Sequence, residues 1–205
     1  MVAVSIALSV MVVVRIWNRT GPGWAQPITG PLAAALLVLL TGVPPALGTG
    51  YGYALTGVLV IAACYGLALL IPPTRRALAA QYFPTPWRTA ILEIPLATVV
   101  FEEIAFRGVL WTLIDRQHGP VWATGVTAVL FGLWHISPDP ALRSQLGTVA
   151  FTTIAGVAFG LLRDVSGGLL APVAVHWAAN GLGVLASTAV RARSGDDRRG
   201  PVANG

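Results

Sequence analysis

Apolar residues dominate seven runs of this chain, about residues 2–16, 31–47, 52–71, 89–114, 121–136, 146–162 and 169–190. A helix of about 20 apolar residues crosses the hydrocarbon core of a bilayer. Backbone in lipid must satisfy its own hydrogen bonds, so such runs predict helices. Polar residues and helix breakers punctuate them. Arg15, Asn18 and Arg19 close the first run, and a Gly/Pro-containing loop follows to Gly30. Pro44-Pro45 and Pro72-Pro73 end the second and third. Residues 74–88 form the longest polar stretch, with Tyr82, Phe83 and Trp87 as interfacial anchors. The pattern predicts an all-α fold, a polytopic membrane bundle of about seven transmembrane helices.

Composition sharpens this picture. Of 205 residues, 55% are hydrophobic and only 10% charged, where a soluble domain carries about a quarter charged. Mean hydropathy is +0.73. A net charge of +5 suggests nucleic acid at first sight. The thirteen basic residues are all Arg, and apart from Arg107 they fall at run ends, in loops and in the tail rather than on one patch, which argues against that partner class. Cys64 is the single cysteine, so no intramolecular disulfide forms. The N-terminus has no basic leader region, so its first run reads as a retained span. With seven spans the loop arginines sort to one side, which predicts a cytoplasmic C-terminus and an external N-terminus.

Charge within the apolar runs carries the chemistry. Glu102, Glu103 and Arg107 lie near the middle of the run 89–114. A charge at that depth costs at least about 2.5–3.5 kcal/mol, so such groups face a protein interior or a watery cavity. Glu103 and Arg107 are four apart, on one helical face and in the favourable order for an ion pair. Glu102 points about 100° away and has no local partner. One carboxylate therefore reads as a clamp and the other as available for proton transfer. Two further runs carry histidine: FGLWH ends at His135, and HWAAN places His176 and Asn180 one turn apart. At about 1.5 Å per residue, Glu102 lies roughly 18 Å from the outer side, His135 roughly 21 Å, His176 roughly 11 Å and Asn180 roughly 17 Å. Groups from three helices thus share one slab near mid-membrane. Taken singly, either histidine also reads as an interhelical hydrogen-bonding group. Phe131 reads as packing, and Trp111, Trp122, Trp134 and Trp177 as belt or core. His118, Asp139 and Asp164 read as loop residues without a role.

FEEIAFRG, FGLWH and HWAAN together resemble the three motifs of the CAAX protease and bacteriocin-processing family, also called the Abi or type II CAAX prenyl endopeptidase family. Its pattern is Glu-Glu-x-x-x-Arg, Phe-x-x-x-His and His-x-x-x-Asn, in that order. The resemblance covers about residues 89–190 and implies an intramembrane, glutamate-dependent endopeptidase. It implies that Glu102 activates a water with help from His135. It implies that His176 and Asn180 polarise the scissile carbonyl and stabilise its oxyanion, and that Glu103 and Arg107 brace the site. The expected organisation is one transmembrane domain over residues 1–190, with its catalytic core at 89–190, and a disordered cytoplasmic tail at 191–205. The expected setting is a bacterial plasma membrane, and the expected partners are lipids and a membrane-associated peptide or protein substrate.

Other readings use the same residues. Glu102, His135 and His176 are zinc-binding residue types, and a metal-bound water would then be the nucleophile. With no His-Glu-x-x-His helix in the chain, no cofactor is expected. Buried Glu and His also form proton relays in carriers, but no paired, interrupted spans in matching halves accompany them. A non-enzymatic scaffold or a self-immunity protein against peptide toxins is the remaining alternative.

Overall fold

The computed structural model describes residues 2–137, 141–193 and 195. Among these residues all regular structure is helical: α1 (Val2–Thr20), α2 (Gln26–Thr41), α3 (Tyr51–Leu70), the short α4 (Pro72–Ala79), α5 (residues 86–118), α6 (Pro120–Trp134), α7 (Leu142–Val165) and α8 (Leu170–Arg193). The chain is an all-α membrane bundle. Helices α1, α3, α7 and α8, and α2 with the turn before it, are each long and apolar enough to cross a bilayer. Each of the seven apolar runs of the sequence corresponds to one of the long helices.

Boundaries differ where proline was read too simply. Helix α2 starts at Gln26 and runs through Pro31, because Pro27 occupies its first turn, where no backbone N–H is needed. It stops at Thr41 rather than near residue 47. Gly42 closes it at φ +65°, with its N–H on the Val38 carbonyl, a left-handed cap that glycine adopts without a Cβ penalty. The expected loop at 74–88 contains α4, since Pro72 and Pro73 start a helix there instead of only ending one. Helix α8 extends to Arg193, and the expectations for Asp139 and for the tail beyond Gly195 lie outside the described residues.

Helix α5 lies among α1, α2, α6 and α8. It is not uniformly wound. Residues Thr89–Val99 and Ile104–Leu110 have wide i→i+5 turns, and Val100–Glu103 between them is α-helical. Pro95, inside the first wide stretch, accepts from the N–H of Val100. Wide turns of this kind are frequent at functional sites. Around the second stretch sits the core, with Phe101, Phe106, Val109 and Leu110 almost wholly buried.

The bundle is inverted relative to a soluble protein. Glu103 and Arg107 are 0% exposed, while Leu39 and Val121 are 78% and 83% exposed. On α3 only Ala54 is buried, so nearly its whole surface is apolar and outward, as a lipid-facing helix requires. Helix α6 packs along α7 at backbone range. A Cβ on Gly156 would stand 2.9 Å from the Ala128 Cα, so only glycine allows this approach. With 15 residues against 24 in α7, α6 rises only about 22 Å, and its C-terminal end at Trp134 falls short of a core about 30 Å thick.

Candidate active site

Helices α5, α6 and α8 bring the polar side chains together, and α7 adds the Gly156 carbonyl and Phe159. On α5 the short α-helical stretch carries Glu102 and Glu103 side by side, and their side chains diverge. Glu103 turns into the bundle. Its Oε1 accepts from Arg107 Nη1 at 3.0 Å, and both side chains are fully buried. The same oxygen lies 2.7 Å from His176 Nδ1 on α8. An ionised carboxylate paired with a guanidinium only accepts, so this histidine nitrogen carries the proton. Arg107 is held in turn by aromatic rings, with Cζ 4.2 Å from the centre of Phe131 and 5.0 Å from Phe159. Its Nη2 reaches the Gly156 carbonyl at 3.4 Å, a contact that depends on the close α6–α7 packing.

Glu102 has different surroundings. Its Oε1 accepts from the Trp134 indole N–H at 2.8 Å. Its Oε2 is buried and has no hydrogen-bond partner among the described residues. That oxygen stands 3.8 Å from His176 Nε2. The separation is too long for a direct hydrogen bond and short enough for one small molecule to touch both groups. With Nδ1 of His176 on Glu103, Nε2 is the ring nitrogen that faces Glu102.

His135 follows the last residue of α6 and is half-buried. Its Nδ1 lies 2.8 Å from the Phe131 carbonyl, which only accepts, so Nδ1 is protonated and Nε2 is free of that bond. Its ring sits 4.7 Å from Phe131, and Phe131 sits 5.8 Å from the His176 ring. The two histidines are therefore separated by one phenyl ring. Phe159 stacks on His176 at 5.1 Å and completes the wall.

Asn180 is placed apart from this cluster. It is exposed and lines a 350 Å³ cavity with Tyr65, Gln81, Phe83 and Ile94, one turn beyond His176 along α8. Trp134 is the participant that the sequence did not mark. Its hydrogen bond to Glu102 has no spacing signature, and a tryptophan beside a histidine in an apolar run reads equally well as core. The other tryptophans have partners elsewhere: Trp111 donates to Thr124, Trp177 to the Ala90 carbonyl, and Trp122 is exposed. No group of three His, Cys, Asp or Glu side chains among the described residues is arranged to hold a metal ion. The donor set also fits zinc poorly, because Glu103 is engaged by Arg107 and His176 Nδ1 by Glu103.

A bundle with apolar helices outside and a buried carboxylate–histidine cluster within is that of an integral membrane protein. Residues 84–182, from just before α5 to the middle of α8, match the family model described as Type II CAAX prenyl endopeptidase Rce1-like. That stretch, a little under half of the chain, matches the family that the three motifs resemble, and the match supports a membrane protease in general. No curated protein and no solved structure matches the chain.

Proposed function

We propose that this protein is an intramembrane endopeptidase in which Glu102 is the general base. The observation that supports it best is the division of labour between adjacent carboxylates. Glu103 is engaged by Arg107 and His176, whereas Glu102 keeps one buried oxygen unpartnered opposite His176 Nε2. A water between those two groups gives a proton to Glu102 as its oxygen attacks the scissile carbonyl. The carbonyl becomes a tetrahedral oxyanion. Glu102 then returns the proton to the departing amine nitrogen as the C–N bond breaks. This needs no covalent nucleophile and no metal. His135 Nε2 is available to orient the water, and Asn180 supplies an amide N–H where a substrate carbonyl reaching the neighbouring cavity would need one. Glu103 and Arg107 fix the His176 ring.

The experiment is cleavage of a prenylated CAAX-type peptide by purified protein in liposomes. Glu102→Gln and His135→Ala are expected to lower the rate by about 10²-fold or more, the usual contribution of a positioned acid–base group, with unchanged thermal stability. Full activity after exhaustive chelation is the expected outcome, and activity that is lost on chelation and restored by zinc would replace this mechanism by a metal-dependent one. A Glu102→Gln protein that cleaves at the wild-type rate would refute the assignment. The setting we propose is a bacterial plasma membrane with the C-terminus in the cytoplasm, and the substrate is a membrane-associated peptide or protein.

A further inference from the structure

We infer that Arg15 and Arg19 of α1 form a subsite for the free C-terminal carboxylate of the peptide substrate; this rests on the endopeptidase reading above. Both residues lie outside the stretch that matches the family model. Each donates through Nη2 to the same acceptor, the Ile136 carbonyl, at 2.7 and 2.5 Å. That carbonyl has two lone pairs and takes one N–H from each, which brings two cations together at one point. The Nε and Nη1 groups of both have no hydrogen-bond acceptor among the described residues. A guanidinium held in an apolar setting with spare donors is suited to a two-oxygen anion, which it binds with paired hydrogen bonds.

The surroundings select the anion. Arg15 and Arg19 line a groove of 300 Å³ whose other walls are apolar, among them Leu8, Met11, Phe106 and Leu133. Trp134 also lines the groove. Arg15 Cζ lies 5.2 Å from the centre of that indole, and the indole N–H is the one bonded to Glu102 at 2.8 Å. With about 2 Å across the ring, the guanidinium is at most ~10 Å from the Glu102 carboxylate, a span that about three extended residues cover at ~3.3 Å each. Trp134 lines the groove and Glu102 lies behind its indole, so a segment with its terminal carboxylate on the arginines passes the edge of that ring to present an upstream peptide bond at Glu102. A lipid phosphate would meet Arg19, which is exposed, but Arg15 lies one turn deeper and half-buried against Trp134.

The test separates binding from cleavage. Glu102→Gln protein in nanodiscs of zwitterionic lipid is titrated with a fluorescent prenylated CAAX-type peptide, once as the free acid and once as the C-terminal amide. The acid is expected to bind about tenfold tighter or more, as a charge-assisted bond implies, and Arg15→Gln/Arg19→Gln is expected to bring the two peptides to equal affinity. Arg15→Lys/Arg19→Lys keeps the charge and is expected to retain a reduced preference, which guards against a variant that merely loses the α6 cap. Equal binding of acid and amide by the parent protein would overturn the inference. So would an arginine-dependent affinity that disappears when phosphatidylglycerol is added while acid and amide remain equal, because the pair would then be a headgroup site. Because binding is read without turnover, a failure of catalysis in the wild-type protein would count against the endopeptidase reading alone.

Discussion

At the scale of single residues, the site rests on how differently Glu102 and Glu103 are treated although they are neighbours in sequence. Glu103 is fully buried against Arg107, and removing one partner of such a pair leaves an uncompensated charge. Glu103→Ala is expected to lower stability by about 3–5 kcal/mol, read as a clear fall in the thermal midpoint in detergent. Glu102→Gln should leave that midpoint in place. Trp134→Phe keeps an aromatic wall and removes only the N–H that positions Glu102. Losing a hydrogen bond to a charged acceptor is worth about 1.5–3 kcal/mol, so the cleavage rate is expected to fall by about 10–100-fold with the fold intact. The pairing of Glu103 with Arg107 was legible from their spacing alone. The role of Trp134 was not, because its donor N–H matters only once α6 lies beside α5.

At the scale of elements, α5 and α6 are unusual in ways that serve the site. The wide turns on either side of Val100–Glu103 set that stretch off from a regular helix. Helix α6 stops early, and its last residue, Trp134, lies beside α5 with its indole N–H on Glu102. Its last carbonyls need partners, and Arg15 and Arg19 supply them from α1 through Ile136. The α6–α7 contact lets Gly156 reach Arg107. Gly156→Ala puts a Cβ 2.9 Å from the Ala128 Cα, so the backbones must part. Overpacking of this kind costs about 1–3 kcal/mol. The expected result is a lower thermal midpoint with reduced cleavage, and an unchanged midpoint would show that the helices have room to spare. The apolar runs located these helices well, because period and length are local properties. Proline misled at Pro31 and Pro72, since its effect depends on whether it falls in a first turn or later.

At the scale of the whole molecule, the distribution of polarity decides orientation and chemistry together. Ten loop and tail arginines fall on the side that the C-terminus shares in a seven-span reading. A green fluorescent protein fused after Arg193 is expected to fluoresce, and an alkaline phosphatase fused there to be inactive; the opposite pair would invert the molecule. The sequence by itself determined the seven long apolar helices, though not α4 or the ends of α2, and the presence of a costly cluster of ionisable groups among them, because hydrophobic length and the expense of buried charge are properties of composition and order. Only the tertiary structure decided which polar groups meet. Depth estimates set Asn180 nearer to Glu102 than His176, yet His176 faces both glutamates while Asn180 turns to a separate cavity. Helix tilt, side-chain direction and the distance at which backbones pack govern those encounters, and none of them is written in the spacing along a single chain.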